Sequence, residues 1–249
     1  MTSLLLEAHG LRKSFGALIA TDNVDFDVRE GETHAVIGPN GAGKTTFIKQ
    51  LSGELRPDAG KIHFAGEEIT SLPEQRRSRK GLARSFQITS IYRDFSVLDN
   101  VALAVQAHAG HSFRFWRAAR EDISLRQPAM QVLEQVGLEK RSNIIAANLS
   151  HGEQRQLEIA MALATQPRLL LLDEPVAGMG TDESQRIVEF LASLKGRKTL
   201  LLVEHDMDAV FTLADRISVL VYGRIIATGT PAEIRANEKV RAAYLGKDS

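Results

Sequence analysis

The segment Gly38-Pro39-Asn40-Gly41-Ala42-Gly43-Lys44-Thr45, with Thr46 behind it, limits what this chain can fold into more than any other stretch. It matches the pattern G-x-x-x-x-G-K-[ST]. An unbroken apolar run, Thr33–Ile37, reads as a strand leading into it, and Phe47, Ile48 and Leu51 share one face of a helix leading out. Strand, glycine-rich turn and helix in that order make a phosphate cradle. Gly38, Gly41 and Gly43 let the backbone wrap closely, so that successive N–H groups point inward. The helix N-terminus adds partial positive charge. Lys44 reaches the β- and γ-phosphates, and the Thr45 hydroxyl is placed to ligate Mg²⁺. An ordinary turn before a helix has no use for the Lys-Thr pair. Residues 38–46 are therefore expected to hold a nucleoside triphosphate and its Mg²⁺. No guanine-reading Asn-Lys-x-Asp occurs, which favours ATP.

A second segment completes the chemistry. The apolar run Leu169–Asp173 ends in two adjacent carboxylates, Asp173 and Glu174. In open parallel sheets ligands gather at the carboxyl ends of strands. Successive residues at a strand's end point different ways, so one carboxylate can face the metal while its neighbour faces water. Asp173 is assigned to the Mg²⁺ shell, through water, and Glu174 to the general base. A third apolar run, Thr199–Val203, precedes His205. A neutral imidazole there could bond the γ-phosphate and the base, although a lone histidine before a helix capped by Asp206 carries little information alone.

The remaining strands are expected at 4–11, 23–28, 61–64, 82–86, 217–221 and 224–228. Thr33–Ile37, Leu169–Asp173 and Thr199–Val203 lack alternation, as parallel strands covered on both faces do. The early and late runs lie near Gly31, Gly60, Gly66 and Gly223 and read as antiparallel edges. From about 96 to 165 the pattern is helical almost throughout. The expectation is an α/β fold in one domain of 249 residues, with a parallel core and antiparallel layer at about 1–87 and 166–249 and a helical subdomain at about 88–165.

Composition excludes several alternatives. Lys plus Arg and Asp plus Glu both number 31, so no net charge draws the chain toward nucleic acid. The run Arg76, Arg77, Arg79, Lys80 reads as a solvated helix face, and Phe113, Phe115 and Trp116 as local packing. There is no cysteine, and so no disulfide framework or thiolate metal site. No run approaches the roughly 18 apolar residues that span a bilayer, and the start does not read as a signal peptide. Little chain follows 224–228, so an appended regulatory domain is not expected.

Leu149-Ser150-His151-Gly152-Glu153 opens a helix with an S-x-x-E capping box, and Leu157, Met161 and Ala164 can share that helix's face. The segment also closely resembles the L-S-G-G-Q signature of ABC ATPases. Phe15 in Lys-Ser-Phe-Gly matches that family's adenine-stacking aromatic, Gln87 its Q-loop, and His205 its switch histidine. Together with the cradle and the Asp173-Glu174 pair, these motifs keep the family's order over nearly the whole chain. The resemblance implies a P-loop NTPase with a RecA-like core. It implies a catalytic part for Gln87 and His205 beside Glu174, and Mg²⁺ contact from Gln87. It further implies a head-to-tail dimer with an identical or homologous second ATPase subunit, in which Ser150 and Gly152 meet the phosphates bound by the other chain. A groove beside Gln87 would receive a transmembrane permease subunit. Such a chain sits in the cytoplasm, peripheral on the inner face of the membrane.

Two positions depart from the family pattern. His151 replaces the first signature glycine, and the S-A-L-D stretch reads Ala177-Gly178-Met179-Gly180, with Asp182 two residues late. His151 adds bulk near the phosphate site of the other chain, and the missing aspartate bears on communication between the paired sites. Ser-His-Gly-Glu-Gln, Glu-Pro-Val-Ala-Gly-Met, Ala243-Tyr-Leu-Gly and Phe113-Arg-Phe-Trp116-Arg resemble the larger ATPase subunit of bacterial branched-chain amino-acid importers. That resemblance implies indirect service to a periplasmic or extracellular binding protein. Urea and amide importers share these features, and lipopolysaccharide-export ATPases are more distant. Soluble ABC ATPases acting on nucleic acid usually carry a long coiled coil or two fused nucleotide domains, neither of which is present.

Overall fold

Two strands of 12 residues each, β1 (Leu4–Phe15) and β2 (Leu18–Arg29), pair antiparallel in the computed structural model, which describes residues 3–85, 91–109 and 122–245. Both run further than their alternation predicts. Gly10 and Asn23 take left-handed conformations inside the ladder and absorb register shifts as bulges. The Gly10 N–H donates to the Asp25 carboxylate at 2.8 Å and pins the bend. With β4 (Ala59–Phe64) and β5 (Glu67–Glu68) these strands form one sheet, in the order β2-β1-β4-β5.

The second sheet takes β3 (Thr33–Ile37), β6 (Leu82–Ser85), β7 (Leu169–Asp173), β8 (Thr199–Val203), β9 (Arg216–Val221) and β10 (Arg224–Gly229) in the order β10-β9-β3-β8-β7-β6. The described α-helices are α1 (Lys44–Ser52), α2 (Glu74–Arg79), α3 (Val97–Ala109), α4 (Ile123–Gln135), α5 (His151–Ala164), α6 (Thr181–Leu194), α7 (Met207–Leu213), α8 (Pro231–Ala236) and α9 (Glu238–Val240). The antiparallel expectation fails for β9. Of the two late strands only β10 is antiparallel; β9 lies parallel beside β3, with Ala35 opposite Ile217. The reason is α7, which carries the chain back across the sheet before β9 begins.

The lack of alternation in β7 is explained by two apolar cores. Leu170 and Leu172 pack into one that includes Val101 of α3, Leu133 of α4, Leu157 of α5 and Phe190 of α6. Leu169 and Leu171 pack into the other, with Phe47 and Leu51 of α1 and Leu6, Val24 and Ile62 of the antiparallel sheet. Both faces of the strand must be apolar.

Arg77 also overturns its expectation. It is 1% exposed, and its guanidinium donates to the carbonyls of Gln50 and Leu51 at 2.9 and 2.8 Å, and to those of Thr70 and Leu72. A cation therefore caps the end of α1, where carbonyls lack helical partners and the dipole is negative. Burial brings its pKa down to about 10. Composition made Arg76 to Lys80 look like one solvated run, but helical geometry turns one of its arginines inward.

Candidate active site

Register brings three loops together. Val36 of β3 lies level with Val203 of β8, and Val203 with Asp173 of β7. The glycine-rich turn after β3, Glu174 after β7 and Glu204-His205 after β8 thus emerge side by side at the carboxyl ends of neighbouring parallel strands.

The turn is glycine-rich because other backbone crowds it. A Cβ on Gly38 would lie 2.1 Å from the Leu220 carbonyl oxygen, and one on Gly43 would lie 2.0 Å from that of Ala20. Gly43 also has φ +102°, where L side chains are strained. The Ala42 carbonyl accepts from Gly223 at 2.9 Å, and the Ala42 N–H donates to the Pro39 carbonyl at 3.1 Å. Asn40 and Gly41 are exposed at the tip. Gly43 is the N-cap of α1 and offers no side-chain bond, which leaves the first-turn N–H groups for an anion. Thr45 is exposed and Thr46 half-buried on that turn. Lys44 donates to the carbonyls of Gly38 at 2.6 Å and Pro39 at 3.1 Å. Burial lowers its pKa, and the nearby Glu174 and Asp173 oppose that. Cradle and carboxylates therefore share one electrostatic environment.

Asp173 is 1% exposed and paired through Oδ2 with Arg84 at 3.0 Å, while Arg84 also pairs with Glu54. Burial pushes the Asp173 carboxyl up against the pull of Arg84. Its Oδ1 is buried and finds no hydrogen-bond partner among the described residues. A buried lone pair left open on a carboxylate fits a metal-bound water. Mg²⁺ keeps several waters and leans on substrate phosphates, so no all-protein cage is required. Glu174 has φ +49°, a left-handed conformation that costs about 1–2 kcal/mol for a residue with a Cβ. Its N–H donates to the Val203 carbonyl at 2.8 Å. Arg155 of α5 donates to the carbonyls of Asp173 at 2.5 Å and Glu174 at 3.3 Å. The Glu174 carboxylate stands 3.6 Å from Nδ1 of His205, and both side chains reach solvent. Asp206 caps α7 as expected, accepting from Asp208 and Ala209.

Phe15 ends β1 with half its surface exposed and Lys13 Nζ 5.7 Å from its ring centroid, so it is no core residue. Ser150 caps α5 in a complete capping box with Glu153. Gly152 is buried beneath Glu183: a Cβ there would lie 2.8 Å from the Glu183 carboxyl carbon. Ser150 and Gly152 line a cavity with Arg141, Gln156 and Arg186, and no residue of 38–46 lines it. Within one chain, then, the signature and the cradle share no part of this cavity. A Cβ on Gly178 would lie 3.9 Å from the His151 ring, so two of the departures from the family pattern are neighbours. Gln87 and the 113–116 segment lie outside the described residues. Strand β6 ends at Ser85 opposite Leu172, one residue short of the level of Asp173.

A family model described as ABC transporter matches residues 21–177. The chain belongs to the ABC transporter family. The branched-chain amino-acid transport ATP-binding protein LivG of Salmonella typhimurium is 39% identical over 99% of this chain and 100% of its own length. BraF of Pseudomonas aeruginosa, a protein of the same description, is 38% identical with the same coverage. The solved ADP conformation of MJ1267, an ATP-binding cassette of an ABC transporter, superposes with a TM-score of 0.86 at 28% identity, covering 99% of this chain and 100% of that one. The ABC cassette here is accordingly an α/β P-loop nucleotide-binding ATPase that energises transport. A second model, described as branched-chain amino acid ATP-binding cassette transporter, matches residues 224–249.

Motif reading passed over Arg84, Arg155 and Glu204. Each had a signal: a lone charge inside or ending an apolar strand (Leu82-Ala83-Arg84; Leu202-Val203-Glu204), and an arginine on the inward face of an apolar helix.

Proposed function

We propose that this chain drives import of branched-chain amino acids, working on the inner face of the membrane as one of two ATPase subunits beneath a permease. The observation that carries the reading is the split constellation. Cradle, carboxylates and histidine converge at three strand ends, while Ser150 and Gly152 face a separate cavity. A head-to-tail partner would bring its own Ser150 and Gly152 to the γ-phosphate held by the first chain. The substrate class rests on likeness to LivG and BraF along nearly the entire chain and on the C-terminal family match. No described helix is long and apolar enough to cross a membrane; in this reading the solute path belongs to other subunits.

In this reading residues 38–46 bind the phosphates and Phe15 stacks on adenine. Thr45, Gln87 and, through water, Asp173 would hold Mg²⁺, which would neutralise charge on the phosphates. Glu174 takes a proton from the attacking water as its oxygen bonds to the γ-phosphorus and the bond to the β-phosphate oxygen breaks. His205 orients the γ-phosphate and the base. The helices between 88 and 165 act as the subdomain that receives the permease and carries the signature.

The complex reconstituted in liposomes with its permease and binding protein should hydrolyse ATP faster when leucine, isoleucine or valine is loaded. Stimulation by urea or short amides instead would overturn the substrate assignment. Phe15→Ala should weaken ATP by about 1–3 kcal/mol, the range of base–aromatic stacking. Because Phe15 is half exposed, the substitution should leave thermal stability nearly unchanged. Unaltered ATP affinity by calorimetry would remove Phe15 from the site.

A further inference from the structure

Glu204 has no part in the roles above, yet it is among the most constrained groups near the site. Its side chain is 1% exposed. A buried carboxylate is costly unless its oxygens are bonded. Here backbone amides supply the bonds. Oε1 accepts from the Val176 N–H at 3.0 Å, and Oε2 accepts from His205 at 3.0 Å and Asp206 at 3.4 Å. Nδ1 of His205 stands 3.9 Å from the same Oε2. One carboxylate thus joins the loop after β7 to the loop after β8. Val176 is two residues past Glu174, whose left-handed backbone must be held in place by its surroundings.

We propose that Glu204 is a positioning residue for ATP hydrolysis, its buried carboxylate locking the Glu174 loop and the His205 loop into one unit. The inference rests on Glu174 and His205 having the roles proposed above. No side chain but Glu fits well here. A glutamine in its place offers one acceptor and turns an NH₂ toward amide donors on the other side, so one loop loses its anchor. An aspartate keeps charge and acceptors but lacks the reach to bridge both loops.

Glu204→Gln and Glu204→Asp should therefore each lower kcat by about tenfold to a hundredfold, the scale on which misplaced catalytic groups act. ATP affinity should stay native, because no phosphate contact is touched. Combining either variant with His205→Ala should cost less than the product of the two single losses, since Glu204 acts in part through that loop. A purely structural contact predicts otherwise: a lower melting temperature with native kcat per folded molecule. That pattern in Glu204→Asp, the milder change, would overturn the proposal even if Glu204→Gln failed to fold. Glu174→Gln measured alongside separates the two readings. Near-native turnover there would sink the base assignment itself, whereas a dead Glu174→Gln beside fully active Glu204 variants would sink only this inference.

Discussion

Glu174→Gln should bind ATP as tightly as the native chain and hydrolyse it about 10²–10⁴-fold more slowly, the range that general acid–base groups contribute. The substitution is isosteric, and the bonds that hold the segment are made by backbone: Glu174 N–H to Val203, and Arg155 to the Asp173 and Glu174 carbonyls. The left-handed backbone at position 174 is thus retained. Lys44 and the turn around Gly38 are untouched, so phosphate binding survives while proton acceptance is lost. ATP should then hold two chains together, which a doubling of the mass in solution with ATP, but not with ADP, would record. Phosphate release at near-native rate would show that the proton goes elsewhere. A dead enzyme that stays monomeric with ATP would keep the base but require the second subunit to be a homologue rather than a second copy.

The parts of this site that were legible in sequence are those written in consecutive residues. A phosphate cradle needs its glycines and Lys44 within one turn, and a strand-end carboxylate pair needs an apolar run before it. Each leaves a local pattern whatever the rest of the fold does. The three parallel strands at its heart are likewise visible, because burial on both faces suppresses alternation. What escaped depends on register between distant segments. Arg84 finds Asp173 only because β6 pairs with β7, and Glu204 reaches Val176 only because β7 and β8 end level. The parallel pairing of β9 depends on a crossover helix that strand patterning does not see. Arg77 was misread for a related reason: its partners are the carbonyls at the end of α1, more than 20 residues back in the chain.

Lys44→Ala should weaken ATP by roughly 3–6 kcal/mol, the value of two hydrogen bonds from a charged donor, which is about 10²–10⁴-fold in affinity. The lysine is aimed by the turn that it closes. Its ammonium bonds the Gly38 and Pro39 carbonyls and lies within the field of Asp173 and Glu174. An outer phosphate that enters the cradle meets that charge at the start of α1, where the backbone N–H groups already point. Removing it also leaves the buried Gly38 carbonyl and the half-buried Pro39 carbonyl without their donor, so the melting temperature should fall as well. The loss should also depend on phosphate number. ATP should suffer more than AMP, because Lys44 serves the outer phosphates and Phe15 the base. Calorimetric titration of ATP, ADP and AMP reads this directly. Undiminished ATP affinity would overturn the cradle, and an equal loss for all three nucleotides would place Lys44 on the inner phosphate instead.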